Sequence, residues 1–457
     1  MTQADMLADF VVAASYEELS VEARLQLKLR VLDSLGCAIG AQNGPPVRMI
    51  REHVTEFGGT PLSTLIGGGK TSPAQAALYN SALVRYLDFN DSYMAPGETC
   101  HPSDNLGAVL SAAEYRGAGG KDLLTALAVA YQVQCRLSDE APLRSRGFDH
   151  TTQGNFALAA GVSKALGLNG EQTANAIAIS GTAFNALRVT RTGVLSHWKG
   201  LAYPNAAFCC TNAAFLAMRG VTGPREVFEG NKGFFETVSG EFLLDWSKED
   251  LESVTRTILK KYNAEIHSQS AIEGILELKD EHGFSSDEVD SVEIDIFQAA
   301  YDIIGGGVEG DKTRVRTKEE ADHSLQYMVA VAILDGKVMP EEYAPDRIVK
   351  DDVQRLLKKV IVRPDDKLTR LFPERHACNL TVRLKDGRVL TKEKTGYEGF
   401  FTSPMEQAAV EEKFKRLTAP FIDRGLQADI IGRVENIEDI TTAELMEPLS
   451  LAGAALK

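Results

Sequence analysis

The sequence predicts a mainly α fold with a smaller α+β domain set into it. Three observations carry this reading. Up to about residue 262, apolar residues recur at three- and four-residue steps in segments rich in Ala and Gly, with no strand signal of note. Over residues 263–404 the pattern changes to alternation and a hairpin signal. From 405 to 457 it returns to helix, and this tail is expected to pack back on the first part.

Taken in order, the first helix is expected over Ser15–Gln42, with Leu25, Leu29, Leu32, Leu35 and Ile39 on one side and Ser20 as its cap. Pro45-Pro46 breaks the chain before a helix over Val47–Phe57. Gly67-Gly68-Gly69-Lys70 lacks the spacing of a phosphate-binding loop and reads as a tight turn. Helices follow over Ser72–Tyr86, Asn105–Arg116 (capped by Ser103 or Asp104 and ended by Gly117-Ala-Gly-Gly120) and Lys121–Leu137. Further helices are expected at Asn155–Leu166, Gly170–Leu187 and Asn205–Arg219. In the middle domain Val292, Ile294 and Ile296 alternate with charged residues as a half-buried strand does. Asn379–Leu384 and the residues from Val389 flank Asp386-Gly387, a hairpin turn signal. Ser324–Asp335 and Asp351–Val360 read as helices between the strands.

Composition bounds the function. With 457 residues, 44% hydrophobic and 25% charged, the chain is long enough for two or three soluble domains with sizeable cores. A net charge of −15 argues against nucleic acid or an anionic membrane surface as partner, though a local field can still hold an anionic small substrate. The six cysteines form no CxxC pair, which argues against zinc, an iron–sulfur cluster or a disulfide framework and for a reduced, cytoplasmic setting. No signal peptide is expected from the first residues, and no uncharged run reaches the roughly 20 residues of a membrane span.

The segment from Tyr86 to Asn105 stands out. Between apolar helices it gathers Asp88, Asp91, Ser92, Glu98, His101, Ser103 and Asp104. Pro96-Gly97 and His101-Pro102 interrupt any helix there, so it reads as a loop of proton-handling groups on a rigid scaffold. Asp88 and Asp91 can serve as helix caps or as chemistry. A divalent metal has no helical ligand spacing to support it. His150 sits in another polar loop. Arg188 and Arg191 have the chemistry of carboxylate clamps and equally that of interface ion pairs. Lys199, after Trp198, reads on its own as a surface lysine.

Asp88-Phe-Asn-Asp91 leading to His101-Pro-Ser103 resembles the signature of the MmgE/PrpD family. That family includes 2-methylcitrate dehydratases, cis-aconitate decarboxylases and iminodisuccinate epimerases. Ser196-His-Trp-Lys-Gly200, Glu265-Ile-His-Ser-Gln-Ser-Ala271 and Ala321-Asp-His-Ser-Leu-Gln-Tyr327 are similar to its later segments, and Gly223-Pro224 with Phe228-Glu-Gly230 fits as well. The resemblance implies a large helical domain made from both chain ends (residues 1–262 and 405–457), an inserted lid over 263–404, a homodimer, and chemistry without metal or organic cofactor. It assigns Asp88, His101, Lys199 and His267 to catalysis. Ser92, Ser103, His150, Arg188, His323 and Tyr327 are then substrate-binding candidates. Asn90 stands where the family commonly has aspartate and Ser92 where threonine is common. The Asp91–His101 spacer is slightly longer than in the decarboxylases, so this loop is where substrate choice is expected to differ.

The implied substrates are di- or tricarboxylates that lose or exchange a group beside a carboxylate. Removing that α-proton builds negative charge, which Lys199 with a histidine can stabilise. A leaving hydroxide needs a general acid, and His101 fits by type. Asp88 can orient His101 or act as base, and His267 can be the second acid–base group or a carboxylate anchor. Dehydration of 2-methylcitrate or a close analogue is the first expectation. Decarboxylation of cis-aconitate, epimerisation of an imino-dicarboxylate, and carboxylate binding without catalysis are the alternatives.

Overall fold

The computed structural model describes residues 1–453. It is mainly helical, with small sheets. Among the described residues, no helix is long and apolar enough to cross a membrane. The chain divides into two compact units. One comprises residues 1–190, 200–259 and 406 onward, and the other residues 191–199 and 260–405. The segment 191–199 thus belongs with the second unit although it lies within the first helical stretch of the sequence.

In the first unit, Ser20 caps the helix Val21–Gly40 by accepting from Ala23 N at 3.0 Å. The residues before it, Tyr16–Glu18, form a separate short turn of 3-10 helix rather than the start of one long helix. The C-terminal helix Gln407–Thr418 packs on this element. Lys413 Nζ meets the buried Asp33 carboxylate at 2.7 Å, and a Cβ at Gly36 would come within 3.2 Å of Phe414. Small residues set other spacings too. At Gly161, in the helix Thr151–Leu166, a Cβ would meet Ala130 of the helix Gly120–Glu140 at 2.8 Å. Gly120 is tighter still, because a Cβ there would lie 1.6 Å from the carbonyl oxygen of Ile437. Gly120→Ala is therefore expected to cost roughly 3 kcal/mol or more of stability, since backbone rather than a flexible side chain must move. A urea midpoint equal to that of the parent protein would refute this.

This unit also holds two short hairpins that the sequence pattern did not show. β1 (Ser63–Thr64) pairs with β2 (Lys70–Thr71) across Gly67, Gly68 and Gly69, all at positive φ. Lys70 Nζ is 2.8 Å from Glu114, as befits a turn rather than a phosphate site. β3 (Tyr93–Ala95) pairs with β4 (Glu98–Cys100) across Pro96-Gly97, with Gly97 at φ +86°. The polar loop of the sequence is thus an ordered hairpin. A 3-10 turn over Pro102–Asn105 follows, then the helix Leu106–Arg116. Neither Ser103 nor Asp104 caps that helix, because both side chains are drawn into the contacts described below. The expected helix over Asn205–Arg219 begins earlier, at Trp198, and carries Pro204 inside it.

The second unit is built on a four-stranded sheet. β5 (Val289–Ile296) runs parallel to β6 (Val360–Pro364) and antiparallel to β7 (Cys378–Leu384), which pairs with β8 (Val389–Lys394). Val292, Ile294 and Ile296 are fully buried, and Leu380 lies opposite Ile294. Asp386-Gly387 turns the β7–β8 hairpin, with Gly387 at φ +92°. The apolar helix Leu325–Asp335, capped by Ser324, and the helix Gln269–His282 contribute Met328, Val331, Ile275 and Leu278 to the same core. The expected helix over Asp351–Val360 ends at Leu356, and β6 begins at Val360.

Candidate active site

Each unit gathers its own set of the expected residues. In the first unit, Asp88 ends the turn after the helix Pro73–Tyr86 at φ +56°. An aspartate held in that region stores on the order of 1–3 kcal/mol of strain. Its carboxylate takes the Arg85 guanidinium at 2.7 Å, and both side chains are buried.

His101 follows β4 directly. Its Nδ1 lies 2.8 Å from the carbonyl oxygen of Asp91 and 3.1 Å from Ser92 Oγ. A carbonyl oxygen only accepts, so Nδ1 carries the proton and Nε2 is the nitrogen that exchanges one. The carboxylate of Asp91 accepts from Ser103 N at 3.0 Å, Ser103 Oγ at 2.6 Å and Tyr131 OH at 2.8 Å. Burial pushes the Asp91 carboxyl up from its ordinary value, against the pull of the Ser103 bonds and Arg30. Asn90 donates from its amide to Ser103 Oγ and to Asp104, both at 2.8 Å. Ser92 and Ser103 therefore sit beside His101, with Ser103 tied to Asp91.

His150 meets His101 edge-on at 5.5 Å between ring centroids and stacks on Tyr203 at 6.1 Å. Gly154 makes room for this, since a Cβ there would fall 2.4 Å from the Tyr203 ring. Arg188 Nη1 lies 3.9 Å from the Asp149 carboxylate, whose other oxygen accepts from Thr151 N and Oγ1. The hairpin also buries Glu98, which accepts from the backbone amides of Leu143 and Arg144; burial raises its carboxyl, with the Arg144 charge opposing.

In the second unit, Lys199 Nζ lies 2.7 Å from Asp322 Oδ1 and 2.9 Å from His323 Nδ1, which is itself 2.8 Å from the same Asp322 oxygen. Lys318 holds the other Asp322 oxygen at 2.8 Å. Burial would raise the Asp322 carboxyl, but Lys199, Lys318 and His323 together hold it well below the usual range. An ammonium has only protons to give, so His323 Nδ1 faces a donor and an acceptor at once. With one proton at most, Nδ1 either accepts from the ammonium or donates to the carboxylate, so which of the two contacts is a hydrogen bond depends on where the ring carries its proton. Arg191 donates to the Lys199 carbonyl at 3.3 Å.

His267 is the fully buried partner of Glu265. Its Nδ1 is 2.6 Å from Glu265 Oε1, and its backbone N donates to Oε2 at 2.8 Å. This fixes the tautomer with the lone pair on Nε2. The ring lies against Phe297, Phe372 and His376 at 5.5–5.8 Å between centroids. Burial would raise the Glu265 carboxyl, but His267, then His323 and Lys260, hold it at about 2 against an ordinary 4.5. A depressed carboxyl stabilises the fold above its unfolded value, and the benefit fades as pH falls through the folded one. Glu265 is therefore expected to contribute ~3 kcal/mol near pH 7 that is lost between about pH 4.5 and pH 2. Urea titrations of parent and Glu265→Gln should differ at pH 7 and converge near pH 2. A constant gap would refute this.

Tyr327 stands apart. It belongs to the apolar core of its unit and gives its hydroxyl to the Glu342 carbonyl. Sequence reasoning did not single out Glu265 or Asp322 as site residues. The available signal was a carboxylate one or two positions before each histidine.

The MmgE/PrpD N-terminal domain model matches residues 5–247 and the MmgE/PrpD C-terminal domain model residues 262–439. An alkylcitrate dehydratase from Fungal sp. (strain ATCC 74256) is 30% identical over 85% of this chain and 82% of its own. The mitochondrial 2-methylcitrate dehydratase of Yarrowia lipolytica is 29% identical over 86% of this chain and 78% of its own. The 2-methylcitrate dehydratase of Escherichia coli (strain K12) is 28% identical over 83% and 82%. With two family models spanning both units and relatives that match along most of their length, the chain belongs to the MmgE/PrpD family.

Proposed function

We propose that the protein is a hydro-lyase that removes water from 2-methylcitrate or a closely similar tricarboxylate. The observation that carries this is the match, over most of both chains, to relatives named as dehydratases of these acids. Each unit holds groups that suit it by type, and the reading assigns them as follows. His267, oriented by Glu265, takes the proton α to a carboxylate through Nε2. The C–H electron pair becomes the new C=C bond as the C–O bond breaks, and the His101 imidazolium gives the departing hydroxyl its Nε2 proton, releasing water and leaving a neutral ring protonated at Nδ1. Lys199 steadies the charge that builds on the carboxylate as the proton leaves. Asp88, paired with Arg85, is assigned a positioning part beside His101. His150, Ser92, Arg188 and His323 are assigned to substrate binding. Ser103 and Tyr327 are given structural parts, on the contacts of their hydroxyls. A homodimer is part of this reading and is checked by sedimentation equilibrium.

The test is product analysis by NMR after incubating purified, metal-free protein with 2-methylcitrate, citrate, cis-aconitate and iminodisuccinate. Loss of water from 2-methylcitrate is expected. Itaconate from cis-aconitate without that dehydration, or no turnover of any of the four, would overturn the proposal. The rate is expected to be the same with and without a chelator, because the proposed steps are proton transfers between side chains and substrate. A chelator-sensitive rate restored by a divalent ion would remove the cofactor-free part of the reading.

A further inference from the structure

We propose that Asp91 is a positioning residue that sets the tautomer of His101, and that Tyr131 and Ser103 hold Asp91 in place to do so. This rests on the reading in which His101 gives a proton to the departing hydroxyl.

Asp91 is bound through both its peptide carbonyl and its carboxylate. Its peptide carbonyl accepts from His101 Nδ1 at 2.8 Å. Its carboxylate accepts from the backbone N of Ser103, two residues beyond His101, at 3.0 Å. One residue therefore grips His101 twice, at the ring and at the backbone just after it. A third anchor comes from another element. Tyr131, on the helix Gly120–Glu140, donates to the second carboxylate oxygen at 2.8 Å. With Ser103 Oγ at 2.6 Å, both oxygens of this buried carboxylate are bound to internal donors, so Asp91 has no part in exchanging protons with substrate.

A neutral imidazole has one proton and two nitrogens, and the tautomers differ by little in water. The Asp91 carbonyl, with Ser92 Oγ at 3.1 Å sharing the same proton, commits it to Nδ1. Nε2 then receives and returns the proton used in the reaction. A neutral Nε2–H ring in the same place could give up that proton only by becoming an imidazolate anion, whereas the Nδ1–H ring takes a proton at Nε2 and becomes the imidazolium that donates it. A carboxylate with three donors, two on one oxygen and one on the other, also resists rotation, which keeps the carbonyl aimed at the ring.

The test uses full-length protein labelled with 15N at histidine, with the His101 signals identified by their loss in His101→Gln. The 15N shifts of Nδ1 and Nε2 report the tautomer in ligand-free protein at alkaline pH. The parent is expected to show Nδ1–H. Tyr131→Phe, which removes one anchor and keeps the ring, is expected to admit the Nε2–H form and lower kcat roughly tenfold with KM unchanged. Asp91→Asn, which sets amide protons against donors, is expected to do so more strongly. An Nε2–H signal in the parent, or a fall in kcat with no change of tautomer, would overturn the proposal. The same holds for a tautomer shift that leaves kcat intact. Because the tautomer is read without substrate, a failure of the dehydratase reading would appear separately, as an inactive parent whose His101 still carries Nδ1–H.

Discussion

His101→Ala is expected to lower turnover of 2-methylcitrate roughly a thousandfold, about 4 kcal/mol of transition-state stabilisation. Hydroxide is a poor leaving group, and the loss of its proton donor removes the step that makes it water. The fold is expected to survive. The ring bonds to Ser92 Oγ and to the Asp91 carbonyl, and His150 meets it edge-on at 5.5 Å. The clamp of Asp91 on Ser103 does not pass through the imidazole. Deleting a buried ring of this size costs on the order of 2–4 kcal/mol, within the stability of an ordinary domain. The measurement is kcat beside a thermal melt on the same sample. Turnover within threefold of the parent in a variant that still melts cooperatively would strip His101 of its role.

How much of this was legible in the sequence depended on the range of the forces at each residue. Val292, Ile294 and Ile296 announced β5 because a strand with one face on the core must alternate, and all three are buried. β6 was not legible, because its few residues follow the helix Asp351–Leu356 after only a 3-10 turn over Leu357–Lys359 and its pairing with β5 is set by residues far away in the chain. The polar density between Tyr86 and Asn105 was plain, yet its shape was not. Strands of three residues leave no period to read, and the hairpin is visible only through its Pro96-Gly97 turn. Ser103 and Asp104 looked like caps by local rules. Asp91 and Asn90 outbid the helix end for them, since a buried carboxylate or amide left without partners costs more than an uncapped turn. The pairing of Lys199 with Asp322 spans 123 positions and leaves no trace at either end beyond residue type. The resemblance to a family named Asp88, the histidines and the lysine; it did not single out Glu265 and Asp322, the carboxylates beside His267 and His323.

Lys199→Ala is expected to lower kcat/KM by about two to three orders of magnitude, the effect of removing one preorganised cationic donor from a developing charge. The stability cost should be smaller than the ~3–5 kcal/mol typical of a broken buried ion pair. The reason is Lys318. Asp322 keeps that ammonium at 2.8 Å on its second oxygen and His323 at 2.8 Å on its first, so the carboxylate is not left alone. What the variant loses is the cation that faces His323 Nδ1 and Asp322 Oδ1 together. Lys199→Arg is not expected to restore activity, although it restores the charge. A planar guanidinium spreads its donors over a wide fork, whereas the Asp322 oxygen and the His323 nitrogen converge on a single point 2.7 and 2.9 Å away. The decisive comparison sets kcat/KM for the parent, Lys199→Ala and Lys199→Arg beside their melting temperatures. If Lys199→Ala melts far below the parent and Lys199→Arg recovers both stability and rate, Lys199 serves the fold through Asp322. If the melts are close and both variants are slow, the lysine acts on the substrate.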